Sequence, residues 1–109
     1  MSKKNRNDPP AEIDYTLITK ALAVVSGKWR LYIILLVGEH TLRYGELYEK
    51  MAISEKMLAS ELKALVALGV MIRTVYAEVP PRVEYTLTTK GRLALPILRG
   101  IQEIGRMFN

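Results

Sequence analysis

The sequence predicts a mainly helical domain carrying one small β-hairpin, and two observations predict it. From residue 15 to residue 69, and again beyond residue 89, apolar residues recur at the three- and four-residue spacing of helices with one buried face. Between these regions, VYAEVPPRVEYTLT (75–88) alternates apolar and polar residues at both ends, as half-buried strands do. Val83, Tyr85 and Leu87 then face inward, and Arg82, Glu84, Thr86 and Thr88 outward. Pro80-Pro81 stands where a two-residue turn would carry Asn-Gly or Asp-Gly. Two prolines remove two ladder donors and extend Val79, so the connection must be longer, stiff and projecting.

Composition sets the outer bounds. The chain of 109 residues suits one domain with one modest core, and with half its residues apolar and a quarter charged it has an ordinary globular balance. It contains no cysteine, which excludes disulfides, thiolate chemistry and cysteine-based metal sites. The polar start MSKKNRNDPPAE lacks the apolar region of a signal peptide, and LYIILLVG (31–38) is too short to cross a bilayer, so a cytoplasmic location is expected. Net charge is +5, compatible with a polyanionic partner. Residues 1–16 and 54–69 are each neutral and no segment exceeds +2, so such a partner requires folding to gather the cations onto one face.

Element by element, residues 1–12 are expected to form a disordered arm, and 13–109 the folded domain. The first helix, from Tyr15 to Val25, carries Leu17, Ile18, Ala21, Leu22, Val24 and Val25, and Ser26-Gly27 interrupts it. A second runs from Lys28 to about Val37 with a stripe of Trp29, Ile33, Leu36 and Val37, and Gly38 is placed to stop it. HTLR (40–43) is a short extended piece with Leu42 inward. In the third helix, YGELYEKM, Tyr44, Leu47, Tyr48 and Met51 share one face. After the tight connection Ala52-Ile53, Ser54 caps the fourth helix, SEKMLASELKALVALG, which buries Leu58, Leu62, Leu65 and Val66 and ends at Gly69. Strands over 70–77 and 82–88 follow. A last helix begins after Thr88-Thr89 and runs toward Phe108, with Pro96 either kinking it or marking a late start. Two helices joined by a tight turn and followed directly by a hairpin make a winged helix-turn-helix.

Three segments, SGKWRLYIILLVGEHTLRYGEL, ISEKMLASELKALVALGV and RTVYAEVPPRVEYTLTTKGR, resemble the HxlR family of bacterial and archaeal transcription regulators. These are winged-helix proteins related in shape to the MarR group, and the resemblance spans about residues 14 to 105. It rests on GKW before an apolar helix, RYGEL, the isoleucine-serine opening of the fourth helix, and EVPPRVEYTLT. It implies a homodimer binding an inverted-repeat operator in double-stranded DNA near a promoter. Many members carry a cysteine shortly before GKW that senses oxidants or electrophiles. The corresponding place falls near Thr16, and without any thiol, cysteine oxidation is not the signal here. The five methionines read as core fillers.

Candidate site residues follow from the predicted faces. On the fourth helix Glu55, Lys56, Ala59, Ser60 and Lys63 lie opposite the apolar stripe, where a recognition helix meets base edges. Lys56 suits guanine, Ser60 either partner, and Ala59 a thymine methyl. The same residues are also what an ordinary solvated face would show. That helix is electrically neutral, and Glu55 and Glu61 oppose phosphates if they point at them, so affinity must come from elsewhere. Lys28, Arg30, Arg43, Tyr44, Lys50 and Arg82 are the candidates for phosphate contacts, Arg43 and Arg82 before Lys50. Arg82, at the rim of the wing, is placed to reach a phosphate or enter a minor groove. Arg73 has the alternative of pairing with Glu84 across the hairpin, and Trp29 is read as core.

In the last helix Leu93, Ile97, Ile101, Ile104 and Phe108 form a second stripe, with Leu95 and Leu98 off it. With Leu17, Ile18, Leu22 and Val25 of the first helix they supply more apolar surface than one side of a small domain needs. A dimer interface built from the terminal helices is therefore expected, against the alternative that both only cover the core. A two-fold dimer sets two recognition helices about 34 Å apart, one turn of DNA. No catalytic constellation is present: His40 is the single histidine, no serine or threonine has a nearby base, and the glycines form no phosphate loop. Glu46 and Glu49 read as solvated charges. No enzyme activity, metal or cofactor is expected. An unidentified small-molecule effector, if there is one, would act through the angle between the two DNA-binding lobes. The competing reading is a winged-helix protein-interaction module without specific DNA binding.

Overall fold

The structure, a computed structural model, describes residues 12–109, so the expectation of an arm over 1–12 falls almost wholly outside the described residues. In chain order the elements are α1 (Tyr15–Val25), α2 (Arg30–Val37), β1 (Leu42–Arg43), α3 (Tyr44–Glu49), α4 (Glu55–Ala67), β2 (Met71–Tyr76), β3 (Arg82–Leu87) and α5 (Thr89–Met107). This is the winged helix-turn-helix order that the sequence predicts.

Three helices start on side-chain caps, each satisfying an amide that the first turn leaves without a partner. Asp14 accepts from Leu17 N at 3.0 Å, Ser54 Oγ from Met57 N at 3.1 Å, and Thr88 Oγ1 from Gly91 N at 3.1 Å. At the head of α3 the arrangement is reversed: the Arg43 amide donates to Glu46 Oε1 at 2.9 Å. Glu46, expected to be merely solvated, thus closes the first turn of its helix. Gly69, at φ +77°, lets the chain leave α4 and enter β2 at once.

The sheet is antiparallel, in the order β1-β3-β2. Leu42 pairs with Tyr85 and Arg43 with Glu84, and the β2–β3 ladder runs from Met71–Leu87 to Tyr76–Arg82. Met71, Tyr85 and Leu87 are buried on the inner face, as the alternation requires. Residues 77–81 connect the strands and include a cis Val79–Pro80 bond. Thr74 stands opposite Glu84 and Arg73 opposite Tyr85, so the alternative of an Arg73–Glu84 pair is not realised. A five-residue connection leaves register open in the sequence, whereas a two-residue turn would have set it.

The core gathers Ile33, Ile34 and Val37 of α2, Leu47 of α3, Leu58, Leu62 and Leu65 of α4, the inner residues of the sheet, and Leu95 and Leu98 of α5. Several predicted positions differ. α2 begins two residues later than expected and buries Ile34 rather than Leu36, which is only half-covered. Trp29 sits just before the helix, partly buried and edge-on to Tyr32 with ring centroids 5.9 Å apart. Tyr48 is exposed, and Met51 reaches the core from beyond the end of α3. α5 runs unbroken from Thr89 through the exposed Pro96, which removes the late-start alternative.

Candidate nucleic-acid interface

With Leu58, Leu62 and Leu65 buried, α4 turns Lys56, Ala59, Ser60, Lys63 and Ala67 outward. Their spacing of i, i+3, i+4, i+7 and i+11 makes one continuous exposed stripe. Glu55 is exposed at the head of the same helix. The entry of α4 is held at two points, by the Ser54 cap and by the Tyr44 hydroxyl, which donates to the Glu55 carbonyl at 3.3 Å. Tyr44 is partly buried, so its position is that of a strut between α3 and α4 rather than the free phosphate contact expected. Burial first, then the negative charges of Glu55 and of ionised Tyr85 and Tyr48, raise its pKa above the ordinary 10.0.

Between α3, α4 and the wing formed by β2 and β3 lies an open groove of about 1070 Å³. Leu62, Val66, Val83 and Tyr85 line it together with the wing tip Val79-Pro80-Pro81. Arg43, Lys63, Arg73 and Arg82 bring four cations to the same groove, beside Glu46, Glu49 and Glu78. Arg43, Lys63 and Arg73 make no ion pair among the described residues. Glu46 is occupied with the Arg43 amide. Folding therefore brings three cations without an ion pair among the described residues to one side of the exposed stripe, with Glu46 and Glu49 beside them. Arg73 is the residue that sequence reasoning set aside. Its strand register, which alone decides whether it meets Glu84 or the groove, was the missing signal.

Two other predicted phosphate contacts are engaged internally. Arg30 Nε lies 3.1 Å from Glu61 Oε2 and its Nη1 donates to the Ala23 carbonyl at 2.6 Å, tying α1, α2 and α4 together. Glu61 is thereby neutralised on the flank of α4, and its expected repulsion of phosphates does not arise. Arg82 is paired with Glu78 and Glu84 within the wing. Lys28 is exposed over the Trp29 ring, 4.9 Å from its centroid, and Lys50 is exposed after α3; neither lines the groove.

On the terminal helices, Leu17, Ile18 and Leu22 of α1 and Leu93, Ile97, Ile104 and Phe108 at α5 are all exposed, and α1 buries no residue at all. Ile101, predicted to share that stripe, is partly buried against its own core. Among the described residues no cluster of three potential metal ligands occurs, and no helix is long and apolar enough to cross a membrane.

A family model described as HxlR-like helix-turn-helix matches residues 24–109. An HTH-type transcriptional regulator of Halalkalibacterium halodurans is 41% identical over 104 residues, covering 94% of this chain and 86% of that protein. Among solved structures, a MarR-family transcriptional regulator from Porphyromonas gingivalis W83 superposes with a TM-score of 0.76 at 38% identity over 97% of both chains. The redox regulator HypR in its reduced form gives a TM-score of 0.78 at 34% identity, covering 84% of this chain and 91% of that one.

Proposed function

The chain belongs to the HxlR-like helix-turn-helix family of transcription regulators, and from that premise we propose that it acts as a homodimer on an inverted-repeat operator in double-stranded DNA. The observation that supports this reading best is the exposed Lys56–Ala59–Ser60–Lys63 stripe running beside a groove with three cations that make no ion pair among the described residues. Lys56 and Ser60 read base edges from the first turns of α4, and Ala59 between them is small enough to admit a thymine methyl. Glu55 borders that surface and disfavours a phosphate at the head of the helix. Arg43, Lys63 and Arg73 hold the backbone from the groove, with Lys28 a more distant cation. Such contacts set register without reading sequence. The exposed faces of α1 and α5 join the subunits, placing the recognition helices one DNA turn apart. An effector would act by changing the angle between the lobes, and with no cysteine in the chain it is not a thiol oxidant.

The test begins with selection of duplexes from a random-sequence library, followed by affinity measured across a salt series. Each lost phosphate contact should flatten the slope of log K against log salt by about 0.9, and a homodimer loses two per substitution, so Arg43→Ala and Arg73→Ala should each flatten it by about 1.8. Lys56→Ala should cost about 1–3 kcal/mol at one base position of each half-site and leave neighbouring positions unchanged. Failure to select any duplex, even at low salt, would refute the reading and leave a protein-docking module.

A further inference from the structure

We infer that Arg82 positions the wing as an internal clamp and is not itself a DNA ligand. This deepens the DNA-binding reading and rests on it. Arg82 opens β3 opposite Tyr76, the last ladder pair before the connecting loop. Its guanidinium carbon lies 4.0 Å from the centroid of the Tyr76 ring. Nη2 is 3.3 Å from Glu78 Oε1 in the loop, and Nε is 3.6 Å from Glu84 Oε2 on the same strand. One side chain thus touches the end of β2, the loop and the body of β3, and only 27% of it is exposed.

Those contacts leave no net positive charge at the guanidinium for a phosphate. Two carboxylates already face one positive charge, and the Tyr76 ring covers its face, a geometry to which the planar fork of arginine is suited. The Nε nitrogen is shielded and has no hydrogen-bond partner, so it is also closed to an incoming oxygen. Within the loop the backbone supplies little else: Glu78 N donates to Tyr76 O at 2.8 Å, and two of the five residues are prolines. The Arg82–Glu78 contact is the one ion pair among the described residues that ties the loop to the strands. With Arg82 turned inward, the surface that the tip offers outward is Val79, which is fully exposed, with Pro80 and Pro81. A wing fixed in this way loses less entropy when it meets DNA than a mobile one.

The clamp and a direct phosphate contact predict different salt behaviour for one variant. If Arg82 bound phosphate, Arg82→Ala would remove one contact from each protomer and flatten the salt slope of binding to the selected duplex by about 1.8. The clamp predicts instead an unchanged slope, with binding weakened about three- to tenfold as the wing loosens. Arg82→Lys, which keeps the charge, should weaken binding as much as Arg82→Ala; retention of affinity by the lysine variant would overturn the inference. Amide exchange of the free protein judges the clamp without DNA. Arg82→Ala should accelerate exchange within residues 76–84 and leave α4 and α5 unchanged. Unaltered exchange there would overturn the inference, and so would acceleration spread through the helices, which would make Arg82 a general stabiliser. A wild-type protein that selects no duplex would sink the DNA-binding reading, while the exchange experiment would still decide the clamp.

Discussion

On the proposed assembly, Ile97→Ala should separate the subunits without harming the protomer. Ile97 and Leu93 are each 74% exposed on α5, while Leu95, two residues from each, and Leu98, next to Ile97, fill the protomer's own core. Burying a side chain of this size contributes about 1.5–3 kcal/mol, of which truncation to alanine removes about 1–2. A two-fold interface uses each residue twice, so the loss per dimer is about 2–4 kcal/mol. That corresponds to a rise of about 30- to 700-fold in the dimer dissociation constant. The fold should be unaffected, because Ile97 faces outward and alanine is the better helix former. Sedimentation equilibrium over a range of concentrations measures the constant, with Ile72→Ala, an exposed apolar residue on the wing, as the control that should change nothing. An unchanged constant for both Ile97→Ala and Leu93→Ala would refute the assignment of this face. In DNA binding, the variant should require more protein to occupy an inverted repeat yet bind a single half-site as the wild type does.

Three further outcomes follow from particular contacts. Gly91→Ala should destabilise by about 1–3 kcal/mol in denaturant unfolding at fixed protomer concentration, since a Cβ there would lie 2.6 Å from the Val70 carbonyl oxygen; Gly100→Ala, with nothing within 4 Å, should instead gain up to about 1 kcal/mol. Arg30→Ala should cost about 1–3 kcal/mol of stability by leaving the largely buried Glu61 without its partner, and should leave the salt slope of DNA binding where it was, whereas a flattened slope would restore Arg30 to the phosphate contacts. Because the folded pKa of Tyr44 is raised above 10.0, its contribution is full below the unfolded value and is lost as pH rises through the folded one; Tyr44→Phe should therefore lose stability less steeply than the wild type above about pH 10.

The elements were legible because their signals are local. Periodicity placed all five helices, the Ser54 cap set the start of α4, and the alternation through Val83, Tyr85 and Leu87 gave the buried face of the wing. The outward face of α4 follows from the same arithmetic. What the sequence withheld was the occupation of each arginine. Arg30 meets a carboxylate 31 residues away, and no local pattern announces that pairing. Arg82 stands two residues from Glu84 and four from Glu78, but only the twist of a loop of unusual composition decides whether those side chains converge. Arg73 depended on register, and register depended on that same loop. Ile101 fell on the predicted stripe by spacing alone, yet helix α5 turns it far enough toward the core to be partly covered.

The two faces that matter, α4 with the wing and α1 with α5, meet at one residue. Thr88 accepts from Gly91 N at the start of α5, and the same hydroxyl reaches the Gly69 carbonyl at 2.7 Å and the Val70 carbonyl at 3.2 Å, where α4 passes into β2. Its amide also donates to Val70 O at 3.0 Å. Directly beside this junction, Gly91 brings the α5 backbone so close to Val70 that no side chain fits between them. The first turn of α5 is thus hydrogen-bonded and close-packed against the end of the recognition helix and the root of the wing, an arrangement too tight to deform by small continuous amounts. On the proposed assembly, a rotation of α5 against its partner would then carry α4 and the wing with it as one body. Subunit angle and operator spacing would be one mechanical variable in such a dimer, and a ligand would need only to favour one subunit angle over another to change which DNA it fits.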